Sequence, residues 1–152
     1  MFIMKKRYEY IIVAASGSAV FTIDFITKHM THLFLEQPVS ILPGFTLAMH
    51  TNTGIAFSLP VPLPLQIFLT LVFLWFLTSF FLKAKHSLPL LLGFGFIVGG
   101  ALGNFWERML FGAVTDFLAI WRFPVFNMAD AFLFIGVCLL LVHETFFSAQ
   151  RR

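Results

Sequence analysis

Four long apolar runs, separated by short polar segments, occupy most of this 152-residue chain. A bilayer-crossing helix needs about 20 mostly apolar residues. The runs near 10–26, 63–82, 88–106 and 128–147 approach that length. Hydrophobic residues make up 59% of the chain and charged residues 11%, against about 25% charged in a soluble domain. So short a chain cannot hide that much apolar surface in one core. The expected fold is an all-α integral membrane protein, a four-transmembrane-helix bundle forming a single domain over 1–152. Between the runs lie Pro38, Pro43, Gly44 and Pro60, with β-prone stretches at Val39–Leu42 and Phe45–Leu47. These predict a small β-rich extracytoplasmic cap.

Composition also removes function classes. The net charge is only +3, and no Lys/Arg run is interleaved with polar, exposed aromatics, so nucleic acid is not an expected partner. The 22 phenylalanines read as lipid-facing or packing residues. The single cysteine, Cys138, excludes an intrachain disulfide and a cysteine-rich metal site. It sits in an apolar run and is expected to be a small packed core residue.

The first run opens like a secretory signal, with Lys5, Lys6 and Arg7 before apolar residues. It continues unbroken through Phe21 and Ile23, so it is expected to be retained as a span. No lipobox-like segment precedes Cys138, so the chain is not expected to be a lipoprotein itself. Seven of the ten Lys/Arg (Lys5, Lys6, Arg7, Lys83, Lys85, Arg151 and Arg152) fall on one side of the four-span frame. The positive-inside rule makes that side the cytoplasm. Both termini are then inside, and the segments 27–62 and 107–127 are outside. Gly95, Gly99 and Gly103, at intervals of four, predict a helix face that another backbone approaches closely.

This topology gathers the remaining polar residues on the outer face. They are Asp24 and Lys28, Asn52 and Thr53, Asn104, Glu107 and Arg108, then Asp116, Asn127 and Asp130. Ionisable side chains at membrane depth are costly and usually face a partner or a water-filled site. Each also has a plain structural reading. Asn127 suits an N-cap, Asp130 a first-turn acid, and Asp24–Lys28 an i,i+4 pair. Taken together these readings weaken, because Lys28, Arg108 and Arg122 already supply that face with charge.

Five short motifs run through the same residues: Asp24-Phe25-Ile26-Thr27-Lys28, Asn52-Thr53-Gly54-Ile55-Ala56-Phe57, Gly99-Gly100-Ala101-Leu102-Gly103-Asn104-Phe105-Trp106-Glu107-Arg108, Gly112-Ala113-Val114-Thr115-Asp116-Phe117 and Phe123-Pro124-Val125-Phe126-Asn127-Met128-Ala129-Asp130. In order and on this frame, they resemble the lipoprotein signal peptidase (signal peptidase II) family across nearly the whole chain. The departures are Glu107, where the family usually has Asp, and Ile55, where it usually has Ala. The resemblance implies an aspartic endopeptidase with Asp116 and Asp130 as the catalytic pair. Asn52, Asn104, Arg108 and Asn127 would shape the site, and Asp24 and Lys28 would stabilise it. The implied substrates are prolipoproteins already carrying diacylglycerol, cut just before the lipidated cysteine. The implied location is the bacterial cytoplasmic (inner) membrane, with membrane lipids as partners and a monomeric enzyme. No cofactor and no metal are expected.

The residues fit that chemistry on their own terms. Two neighbouring carboxylates cannot both ionise easily, so one keeps a proton while the other activates water. Two rivals use the same polar residues. A metal-dependent hydrolase could draw on His29, His32, Glu36 and His50, but there is no His-Glu-x-x-His pattern. A proton-coupled transporter could relay through Asp24, Asp116 and Asp130, but no ionisable residue occupies the middle of any span. Serine chemistry at Ser58 lacks a Gly-x-Ser-x-Gly setting.

Overall fold

The computed structural model describes residues 2–55, 59–84 and 86–148, with side chains from residue 7 to residue 146 within those limits. Ala56, Phe57, Ser58 and the charges at Lys5, Lys6, Lys85, Arg151 and Arg152 lie outside them. Among the described residues four helices are long and apolar enough to cross a membrane. They are α1 (Phe2–Phe34), α2 (Leu63–Lys83), α3 (Leu88–Phe111) and α4 (Met128–His143), the last extended by a π-helical turn, Glu144–Ser148. Three strands, β1 (Val39–Leu42), β2 (Phe45–Asn52) and β3 (Val114–Ile120), form one antiparallel sheet in the order β1-β2-β3. The four-helix bundle with a small sheet therefore matches the sequence reading.

Helix α3 is the central element, buried along much of its length, while α1, α2 and α4 turn most of their apolar surface outward. That outward surface suits lipid. Packing between helices then depends on close backbone approach rather than on apolar burial. Gly99 faces α1, and a Cβ there would overlap the Gly17 carbonyl. On its other side α3 meets α4, where a Cβ on Gly100 would lie 2.6 Å from the Ala129 carbonyl. The predicted glycine stripe is thus a helix contact. Gly100 and Gly136 add a second one, to α4, that the four-residue spacing did not single out.

Two helices outrun their predicted spans. Helix α1 extends to Phe34, not 26, because its later polar residues bond within the helix. Thr27 Oγ1 donates to Ile23 O at 2.8 Å and Thr31 Oγ1 to Thr27 O at 2.9 Å. Helix α3 extends to Phe111 and stops at Gly112, whose φ of 70° is the left-handed cap a glycine permits. Glu107 and Arg108 are therefore helical, not loop, residues. Cys138 corrects the sequence reading: it is exposed on α4 rather than packed in the core. The buried apolar cluster of Leu77, Phe81, Leu90, Leu91, Phe94 and Ile97 lies toward the bundle end away from the sheet. There His86 bridges Glu9 Oε2 (2.8 Å) and Phe81 O (3.0 Å).

Candidate active site

The sheet brings distant residues to one end of the bundle. Strand β3 pairs with β2, placing Thr51 opposite Thr115 and Asn52 opposite Val114. A register irregularity between Leu47 and His50 sets this alignment. After β3 the chain reverses at Trp121, one of the few residues here in the left-handed region (φ 47°). It then runs back beside β3, with Phe126 N donating to Leu118 O and Leu118 N to Phe126 O. That return delivers Asn127 to Asp116 and starts α4.

Asn127 is fully buried and has three tasks. Its Oδ1 accepts from Asp130 N at 3.0 Å, and Asp130 Oδ2 accepts from Asn127 N at 3.3 Å, a reciprocal cap of the first turn of α4. Its Nδ2 donates to Asp116 Oδ1 at 2.6 Å and to Asn104 Oδ1 at 3.1 Å. Asn104 Nδ2 donates in turn to Asp130 Oδ1 at 2.8 Å. Asn52 Nδ2 donates to Asp116 Oδ2 at 3.0 Å. The plain structural readings of Asn127 and Asp130 are therefore correct, and the same atoms build the site. Asp116 and Asp130, fourteen positions apart in the sequence, share Asn127 and line one pocket of about 200 Å³ with Asn52, Asn104 and Arg108.

A second acid pair stands beside the first. Lys28 Nζ lies 2.7 Å from Asp24 Oδ2, 3.1 Å from Glu107 Oε2 and 2.9 Å from Asn104 Oδ1. Its three protons are thereby engaged. Asp24 Oδ1 also accepts from Ala129 N at 2.8 Å, tying α1 to the start of α4. Glycine at 103 is required here, since a Cβ would sit 2.5 Å from Asp24 Oδ2. Glu107 Oε2 accepts from Thr115 N at 2.9 Å, holding β3 to α3.

Arg108 does not clamp a carboxylate. Its Nη2 donates to Gly54 O at 3.0 Å and its Nε to Gln66 Oε1 at 2.7 Å. Gln66 was not singled out from the sequence. Its signal was there, as a lone amide in the first turn of an apolar helix, but it belongs to none of the five motifs. His32 and Thr115 were likewise passed over as a pair and bond at 2.9 Å. His29 stacks on Phe25 instead. Among the described residues no three His, Cys, Asp or Glu side chains gather as a metal-ligand cluster.

Among the described residues neither Asp116 nor Asp130 forms an ion pair. Burial, opposed by the hydrogen bond from Asn52 and reinforced by the charge of Asp130, pushes the Asp116 carboxyl up to about 6. Two carboxylates held by amides, one of them reluctant to ionise, have the chemistry that an acid–base pair needs.

The sequence profile of the family described as Signal peptidase (SPase) II matches residues 17–146. The chain belongs to the signal peptidase II family. The "Lipoprotein signal peptidase" of Coxiella burnetii is 37% identical over 137 residues, covering 82% of this chain and 83% of that protein. That of Gloeothece citriformis is 38% identical over 153 residues, covering 91% and 90%. That of Staphylococcus haemolyticus is 32% identical over 148 residues, covering 91% and 94%. A bacterial membrane enzyme solved by the in meso method at 2.3 Å superposes with a TM-score of 0.83 at 27% identity, covering 92% of this chain and 91% of that one. Within this signal peptidase II, the glutamate at 107 is long enough to reach both Lys28 and the Thr115 amide. Ile55 lines the aspartate pocket.

Proposed function

We propose that this signal peptidase II removes signal peptides from diacylglyceryl-modified prolipoproteins, cleaving before the lipidated cysteine, with Asp116 and Asp130 as its catalytic pair. The observation that carries this reading is the shared asparagine: Asn127 bonds Asp116 and caps the turn that presents Asp130. A water between the two carboxylates loses a proton to the ionised one as its oxygen attacks the scissile carbonyl carbon. The protonated carboxyl donates a hydrogen bond to the carbonyl oxygen. Collapse of the tetrahedral adduct breaks the C–N bond, and the leaving amine takes a proton from the pair. The shared proton belongs to the pair rather than to one residue. Asn52, Asn104 and Asn127 orient the carboxylates. Lys28 lies between Asp24 and Glu107 beside them and offsets part of their charge.

The proposed setting is the bacterial inner membrane, with a monomeric enzyme, both termini in the cytoplasm and the sheet outside. A site at the outer lipid boundary suits a substrate with acyl chains in the bilayer and its peptide bond near the surface. A cytoplasmic reporter fused after Arg152 should be active and one fused near Gln37 silent; the reverse pattern would invert the orientation.

The direct test incubates purified protein with a diacylglyceryl-modified precursor and with its unmodified form, each with and without chelator. Cleavage of the modified precursor alone, unaffected by chelator, is expected. No cleavage, or cleavage abolished by chelator and restored by a metal, would overturn the proposal.

A further inference from the structure

Helix α2 is the loosest member of the bundle. Among its described residues only Gln66, Leu77 and Phe81 are buried. Leu77 and Phe81 join the apolar cluster away from the sheet, so Gln66 is the buried anchor of α2 at the sheet end. A buried amide must find partners for all its polar atoms, and Gln66, 3% exposed, does. Its Nε2 donates to Thr53 O at 2.8 Å and to Val61 O at 2.6 Å, and its Oε1 accepts from Arg108 Nε at 2.7 Å.

The two carbonyls that follow Asn52 are thus held by two linked side chains, Thr53 O by Gln66 and Gly54 O by Arg108. Gly54 N closes the turn onto Asn52 Oδ1 at 2.9 Å, leaving the Asn52 amide aimed at Asp116 Oδ2 at 3.0 Å. We infer that Gln66 is a positioning residue for the reaction, acting through Arg108 and the turn at Thr53–Gly54 to hold Asn52 on Asp116. This rests on the catalytic role proposed for Asp116. Gln66 touches neither carboxylate and supplies no reacting atom. Thr53, Val61 and the first turn of α2 are joined to α3 because one amide side chain spans them.

The test replaces Gln66 by Met, which keeps the length and removes the hydrogen bonds. Three outcomes are expected with the lipidated precursor. The kcat falls by about tenfold or more while KM stays within about threefold, the mark of lost alignment rather than lost binding. The alkaline limb of the pH profile moves upward, as it does in Asn52→Ala, because Asp116 loses a hydrogen bond that favours its ionised form. The Gln66→Met, Asn52→Ala double variant is within about threefold of Asn52→Ala, because both changes break one chain of contacts. Amide hydrogen exchange at Gly54 needs no substrate and should quicken by about tenfold or more. If the Met variant does not fold, Gln66→Asn, one methylene shorter, should give the same pattern with a smaller loss. Full activity in either variant, a loss additive with Asn52→Ala, an unmoved alkaline limb or unchanged Gly54 exchange would overturn the inference. Failure of the wild type to cleave would sink the catalytic reading instead, and the exchange measurement would still decide the role of Gln66.

Discussion

Two pairs of acids sit side by side at the sheet end of the bundle, and they are held in opposite ways. Asp24 and Glu107 converge on one cation, with Lys28 Nζ at 2.7 and 3.1 Å. Asp116 and Asp130 converge on amides alone, from Asn52, Asn104 and Asn127. A buried carboxylate paired with a lysine has its charged form favoured by the counter-charge. One matched by amides stays free to exchange a proton. Four acids share one corner of the protein, and their donors sort them into a pair held by a cation and the proposed catalytic pair, held by amides.

The largest effect should come from the amide-held pair. Asp116→Asn and Asp130→Asn are nearly isosteric, and each should lower precursor cleavage by about 10³-fold or more while leaving thermal unfolding in detergent little changed. The double variant should be little worse than either single, because the two act as a unit. Substantial turnover by either would erase the distinction between the pairs.

The cation-held pair should fail differently. Lys28→Met leaves Asp24 and Glu107 buried without their counter-charge, and removing one partner of a buried pair costs about 3–5 kcal/mol. Its unfolding temperature should drop well below that of the Asp116 variant. A Lys28→Met protein as stable as wild type would show that these acids are held by backbone contacts, such as Ala129 N on Asp24, and not by charge.

The smallest and sharpest test is titration. With Asp116 near 6, the singly protonated pair gives way to the doubly ionised one as pH rises, so kcat/KM should fall above that region. Asn52→Ala removes a bond to the ionised form and should move the Asp116 titration upward. Asp130→Asn removes a neighbouring negative charge and should move it downward. Infrared titration of the carboxyl band reads both shifts without any turnover. Shifts in the same direction would contradict the hydrogen-bond and charge balance around Asp116.

Much of this was legible in the sequence, where the physics is local. Four apolar runs announced the bundle, and β-prone stretches at Val39–Leu42 and Phe45–Leu47 announced two strands. The polar residues of the site were named with no knowledge of distance, since few other reasons place asparagines and aspartates beside lipid. Elsewhere the structure depended on long-range partners. Residues 27–34 looked like loop because they are polar, yet Thr27 and Thr31 bond inside the helix and His32 finds Thr115 eighty-three positions away. Strand β3 has Asp116 in its middle and read as loop until β2 lay beside it. Gln66 carries no charge and forms no motif, so only the meeting of α2, α3 and the turn after Asn52 reveals it.

The reciprocal cap at Asn127 and Asp130 has a consequence for inhibition. A ligand that hydrogen-bonds to the aspartate grips a residue that lets α4 begin. A mutation that weakened such a ligand by removing the cap's acceptor would also unravel the turn that presents the second aspartate. At this position resistance and survival of the enzyme pull against each other, whereas a ligand gripping the exposed rim at Trp121 or Phe123 could be escaped without touching any helix start.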